Sequence, residues 1–183
     1  MIVDVLDAAG LGQRLGQFKS RLFRLETLPV YTVDSDGDNY RRWLAGEAAP
    51  TSERFWQWLE VLRARKATGK VSSRVRILSE QLSEYERYAC EWGYAYTAAA
   101  GEDIRVLHRG EHDIPDVIET DFWVVDHAEV VLMRYDEEGR FDGAEVTTDN
   151  LPAFLLTRDT AWAAAEPFDA WWSRHPEMRR ASV

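Results

Sequence analysis

The segment 121–145, DFWVVDHAEVVLMRYDEEGRFDGAE, constrains the fold more than any other part of the chain. It holds three short apolar runs, 123–125, 130–133 and 141–146, each of strand length and each bounded by turn residues. The stretch from Asp136 to Arg140 contains a glycine and reads as a hairpin loop. Strands joined this closely pair antiparallel, so a meander over 121–147 is expected.

Upstream, the pattern alternates between strand and helix. Leu11, Leu15, Phe18 and Leu22 recur at helical spacing, which predicts a helix over 11–20. In the following strand, FRLET (23–27), Phe23 and Leu25 face one way, and Leu22, Arg24 and Glu26 face the other. After the loop VDSDGD, a short helix starts near Asn39 and stops at Gly46. A second helix is announced by Pro50, Thr51 and Ser52, carries Phe55, Trp58, Leu59 and Leu62 on one stripe, and ends at Gly69. The run 71–79 reads as a strand with Val75 and Ile77 on one face and Arg74 and Arg76 on the other. Leu82, Tyr85, Ala89, Trp92 and Tyr96 then predict a long helix leading to a strand over 104–108. Strand, helix, strand implies a parallel pair. Asn150 and Pro152 open a final helix that Pro167 breaks, and Phe168, Trp171 and Trp172 are expected to fold back onto the core. The expectation is a single α/β domain. Its mixed sheet of five to seven strands is flanked by helices, and an aromatic C-terminal segment, 150–175, packs on it.

Composition narrows the classes of function. With 183 residues, of which 45% are hydrophobic, the chain can bury a core of its own. A net charge of -10 argues against binding the nucleic-acid backbone directly and favours a basic protein partner. That charge is uneven. Seven basic residues against Glu60 alone occupy 54–76, whereas 102–149 holds fifteen acids against four arginines, which gives a basic and an acidic face if the two segments lie apart. Cys90 has no partner for an internal disulfide, the first residues lack the basic start and apolar core of a signal peptide, and no apolar run is long enough to span a bilayer. A cytoplasmic location is the expectation, with no membrane insertion.

The chemistry-bearing patterns are weak. GLGQRLG (10–16) looks like a dinucleotide turn, but an acidic ribose ligand belongs about 20 residues later, and Glu26 comes too soon. His108, His112 and Asp113 are a conceivable metal set, yet HRGEHD reads as a solvated loop with no second cluster, so neither metal nor cofactor is expected. Cys90, inside a helix, is expected to be a buried inert thiol. The candidate ligand- or partner-binding residues are Arg24, Glu26, Arg74, Arg76, Asp121, Trp123 and Asp126, placed on strands or at strand ends where α/β sheets bind ligands. Mutual pairing of the arginines and carboxylates, and core packing of Trp123, are the plainer expectations.

FRLET with Tyr31, RVRILSEQLSEYERY (74–88), AGEDIRVL (100–107), DFWVVD, GRFDGAE and RDTAW (158–162) together resemble an actinobacterial family of uncharacterised proteins often found beside helix-turn-helix regulators. Ala89 departs from that pattern, which usually carries an acid there. The resemblance implies a non-enzymatic regulatory or accessory protein that binds a protein partner, plausibly such a regulator. The alternative is an enzyme or small-ligand sensor with a polar pocket near Arg76 and Asp121. The order strand, long helix, strand, meander is also similar to half of a phospholipase D-like domain. Glu119, Asp121 and Asp126 stand where its H-x-K-x4-D motif would fall, which implies that the phosphodiesterase chemistry has been lost.

Overall fold

A computed structural model describes residues 4–32, 38–117 and 119–180. It is an α/β domain built on one open mixed sheet. Strands β1 (Asp4–Leu6), β2 (Arg21–Glu26), β3 (Val71–Leu78), β4 (Asp103–His108), β5 (Phe122–Val125), β6 (Glu129–Tyr135), β7 (Phe141–Thr147) and β8 (Glu166–Pro167) lie in the order β1-β7-β6-β5-β2-β3-β4-β8. β2, β3 and β4 are parallel neighbours, and every other pair is antiparallel. The meander is therefore as expected, and its hairpin turns at Gly139, whose φ of 74° suits glycine.

The sheet has eight strands rather than five to seven. The addition is β8, two residues that pair with Val106 and Arg105. Nothing local marks so short a strand, and Pro167 is tolerated because it lies on the sheet's edge. Most of the loop 33–38 and the start of the IVDVL run lie outside the described residues.

The helices are α1 (Ala8–Gly16), α2 (Asn39–Leu44), α3 (Glu53–Ala67), α4 (Glu84–Tyr88), α5 (Ala95–Ala99), α6 (Leu151–Ala164) and α7 (Phe168–Arg174). The first begins earlier than the 11–20 expectation because the Asp7 side chain accepts from the Gly10 N–H and caps it there. Likewise Ser52 caps α3, and Ser83 with Glu86 forms a capping box on α4. The long helix expected after β3 is not uniform. Between α4 and α5 the chain widens into a π-helical segment, Ala89–Tyr94, a device that often re-aims side chains at functional sites.

Each sheet face has its own cover. Phe23, Leu25, Val75, Ile77, Leu107, Phe122 and Val124 pack with Phe154 and Ala161 of α6. On the other face Leu22, Val125, Val131 and Met133 meet Phe18 and α1, while Ile104 and Val106 meet Tyr94, Phe168 and Trp171. The β2 and β3 positions on that second face are largely polar. The C-terminal aromatics are core, as their spacing suggests: Trp171 is fully buried, stacked on Trp172 with its ring 5.5 Å from that of His108. Trp171→Ala should therefore destabilise the domain by about 3–5 kcal/mol in urea denaturation. A loss below about 1 kcal/mol, the range of surface substitutions, would place the ring outside the core.

Candidate functional site

Period-two alternation puts Leu22, Arg24 and Glu26 of β2 beside Ser72, Arg74 and Arg76 of β3, in register and on one face. Covering helices then take these charges out of water. Glu26 sits between two arginines, 2.9 Å from Arg24 and 2.8 Å from Arg74, and accepts a 2.8 Å hydrogen bond from the Tyr94 hydroxyl. Arg74 also reaches Glu102 at 2.7 Å. The Arg24 guanidinium lies 4.9 Å from the centroid of Trp123. Burial by itself opposes ionisation of Glu26, but Arg24, Arg74 and Arg76 outweigh it and hold the carboxyl far below the usual range. Burial likewise pushes the Tyr94 hydroxyl well up, so it stays protonated.

A second cluster closes the C-terminal ends of these strands. Asp121 accepts from the Tyr31 hydroxyl at 2.5 Å and from the Thr27 N–H and hydroxyl at 2.9 and 2.8 Å. Arg76 is fully buried, donating to the Leu28 carbonyl at 2.5 Å and standing 3.5 Å from Glu86. Glu86 in turn accepts from Ser79 and Ser83. These groups fix loops to one another at the strand ends.

The open space lies instead over the middle of β2 and β3, beneath α1, α3 and the π-helical segment. It is a cavity of about 450 Å³, within the range of small-molecule sites. Arg24, Glu26, Arg74 and Trp123 line it; Arg76, Asp121 and Asp126 do not. Arg24 Nε, Ser72 Oγ, Thr97 Oγ1, Glu102 Oε2 and Trp123 Nε1 all belong to lining residues and are buried without a hydrogen-bond partner among the described residues. A buried polar atom left unpaired costs about 1–3 kcal/mol, and five such atoms around one cavity leave it chemically unfinished. Ala89, Gly93 and Tyr94 of the π-helical segment form part of the wall.

The remaining expectations divide. Asp126 is a tether: it accepts from the backbone N–H groups of Lys19, Ser20 and Arg21 at 2.7, 2.8 and 3.0 Å and joins the β5–β6 turn to the start of β2. Asp121 and Asp126 flank β5 at opposite ends, too far apart to converge on one phosphorus. Trp123 is half-buried and lies at the cavity rather than simply in the core. Cys90 is a buried free thiol pushed up by its burial, as expected. His108 is not a solvated loop residue; it is buried, with Nε2 3.1 Å from the Glu80 carbonyl, because α7 folds over it. Among the described residues no group of three or more His, Cys, Asp or Glu side chains could hold a metal, and no helix is long and apolar enough to cross a membrane. The basic segment is not one solvated face, since Arg76 is buried, Arg74 is partly buried, and Arg65 and Lys70 pack on Phe18.

Sequence reasoning missed Ser72, Trp58, Tyr94, Thr97, Arg65 and Glu102 as cavity residues. One signal was present: Arg65 follows Leu62 by three residues, which puts a cation on the apolar stripe of Phe55, Trp58 and Leu62. Residues 9–173 match the model of a domain of unknown function, DUF6879. No curated protein matches the chain.

Two substitutions separate the structural roles. Glu26→Gln leaves two buried guanidinium groups undercompensated and should destabilise by about 3–5 kcal/mol, the cost of breaking a buried ion pair; an unchanged urea midpoint would show that the network carries no stability. Burial is the largest single effect on the Asp126 carboxyl and raises it, but the three backbone N–H donors and the Ser20 hydroxyl together outweigh it and lower the carboxyl to about 2 from 3.8. Its stabilisation is thus present above pH ~4 and fades as pH falls toward ~2. Asp126→Asn should cost about 1 kcal/mol at neutral pH, as loss of a helix cap does. The gap from the parent should close in acid denaturation series, and a gap constant with pH would refute the tether.

Proposed function

Because the chain belongs to the DUF6879 family, whose function is not known, its role has to be argued from the cavity, and we propose that it is a non-enzymatic small-ligand-binding domain serving a regulatory or accessory role. One observation carries the reading. A cavity of about 450 Å³ is lined by five residues that each hold a buried polar atom with no hydrogen-bond partner among the described residues, and a bound molecule that drew these side chains toward it would complete them. The lining chemistry favours binding over catalysis. Glu26 is held ionised between arginines and Tyr94 is held protonated by burial, so neither exchanges a proton near neutral pH. The lining residues include no histidine, cysteine or lysine.

A protein partner that reads the occupied state fits the same picture. The net charge of -10 and the acidic hairpin at Asp136, Glu137 and Glu138 favour a basic partner surface, of which a helix-turn-helix regulator is one. The phospholipase D-like ancestry is retained only as a relationship without the chemistry, since Asp121 is occupied by Tyr31 and Thr27.

Gly93 supplies the test. It lines the cavity, and a Cβ built on it meets nothing within 4 Å, so a larger side chain there enters open space. Gly93→Phe should fold at least as stably as the parent, because glycine is the poorer helix residue by up to ~1 kcal/mol, yet it should exclude ligand. Native mass spectrometry of the chain isolated from its host should find a small molecule on the parent and none on Gly93→Phe. Equal occupancy of both, or of neither, overturns the proposal.

A further inference from the structure

The charge of the cavity runs against the charge of the protein. Four arginines, Arg24, Arg54, Arg65 and Arg74, line it against two glutamates, Glu26 and Glu102, in a chain whose net charge is -10. Arg24 and Arg74 are already committed to Glu26 and Glu102. Arg54 and Arg65 form no ion pair with a described residue, and both line the cavity from α3, eleven residues or about three turns apart, roughly 16 Å along the helix.

Arg65 is the better placed of the two. Its guanidinium lies 4.9 Å from the centroids of both Phe18 and Trp58. Stacking on a ring uses the flat face of a guanidinium and leaves its in-plane N–H donors available, which is the arrangement that receives a carboxylate or phosphate. Burial lowers its pKa, and Glu102 offsets this only in part while remaining outside ion-pair distance. On the far side of that gap, Glu102 Oε1 is taken by Arg74 while Oε2 has no partner, and the Thr97 and Ser72 hydroxyls are likewise unpartnered. The side of the slot along α3 is aromatic, formed by Phe55 and Trp58.

We infer that the cavity takes an aryl anion with a hydrogen-bond donor beside its anionic group. Arg65 receives the anion, Glu102 accepts from the ligand's hydroxyl or amino donor, and the fused or linked rings lie along the Phe55 and Trp58 wall. This assignment rests on the ligand-binding reading above and adds the chemical class. It also explains why an acidic protein keeps a half-buried cation on the apolar stripe of α3, where leucine would satisfy packing alone.

The experiment is calorimetric titration of the full chain with hydroxynaphthoate, naphthoate, the uncharged hydroxynaphthamide and naphthyl phosphate, on the parent, Arg65→Gln, Arg65→Lys and Gly93→Phe. Hydroxynaphthoate should bind the parent more tightly than naphthoate, and the amide should bind at least roughly tenfold more weakly, the worth of one charge-assisted hydrogen bond. Arg65→Gln should weaken the acid by a similar factor without changing amide binding or the melting temperature, and Arg65→Lys should restore part of the loss. Tighter binding of the phosphate than of the acids would make phosphate the anionic group. No binding by any aryl anion, equal binding of acid and amide, or an Arg65→Gln chain that binds the acid as the parent does overturns the assignment. If a neutral ligand binds the parent and is excluded by Gly93→Phe, the cavity reading stands and the anion assignment alone fails. If Gly93→Phe binds aryl anions undiminished, both fail.

Discussion

Glu26 shared between Arg24 and Arg74 is the interaction on which this architecture depends. Removing three charges from water costs several kcal/mol per ion, and only close, well-oriented partners offset it. The strands are held in register so that Arg24 and Arg74 stand side by side with Glu26 one step along. Tyr94 then adds its hydroxyl from the helical layer above. Sheet register, helix placement and the state of charge are therefore coupled. A one-residue slip of β2 against β3 would turn Arg24 and Glu26 to the apolar face and leave Arg74 without its carboxylate partner on β2.

The same network creates the cavity. An apolar sheet face would draw α3 and the following helices into direct contact, as the opposite face draws α6 onto Phe122 and Phe23. A floor of guanidinium and carboxylate groups cannot be covered by leucine without stranding polar atoms, so the helices stand off, and the π-helical segment widens the layer where Gly93 and Tyr94 face the gap. The unpartnered atoms of Glu102, Thr97 and Ser72 belong to this same compromise. In the neighbouring clusters Asp121 and Glu86 each accept several hydrogen bonds, and Arg76 Nε is the atom left without a partner there among the described residues.

Much of the fold was legible in the sequence because alternation and helical spacing are local signals. Phe23 and Leu25 opposite Arg24 and Glu26, the meander ending in the Gly139 hairpin, and the Ser52 start of α3 all follow from neighbouring residues. The candidate site was half legible. Arg24, Glu26, Arg74 and Trp123 converge on the cavity, whereas Arg76, Asp121 and Asp126 brace loops and turns. Strand-face alternation gives the side of a sheet a residue faces. It does not give what lies above it.

The sequence by itself determined which elements form, which face of each is apolar, and that β2 and β3 would present charges on a common side. Only the tertiary structure decided that those charges are buried, that Arg65 is held between Phe18 and Trp58, that Glu102 reaches Arg74 from outside β4, and that a two-residue strand closes the sheet edge. The physical reason is range. Periodicity and capping act over a few residues, while burial and ion pairing depend on helices and strands brought together from opposite ends of the chain.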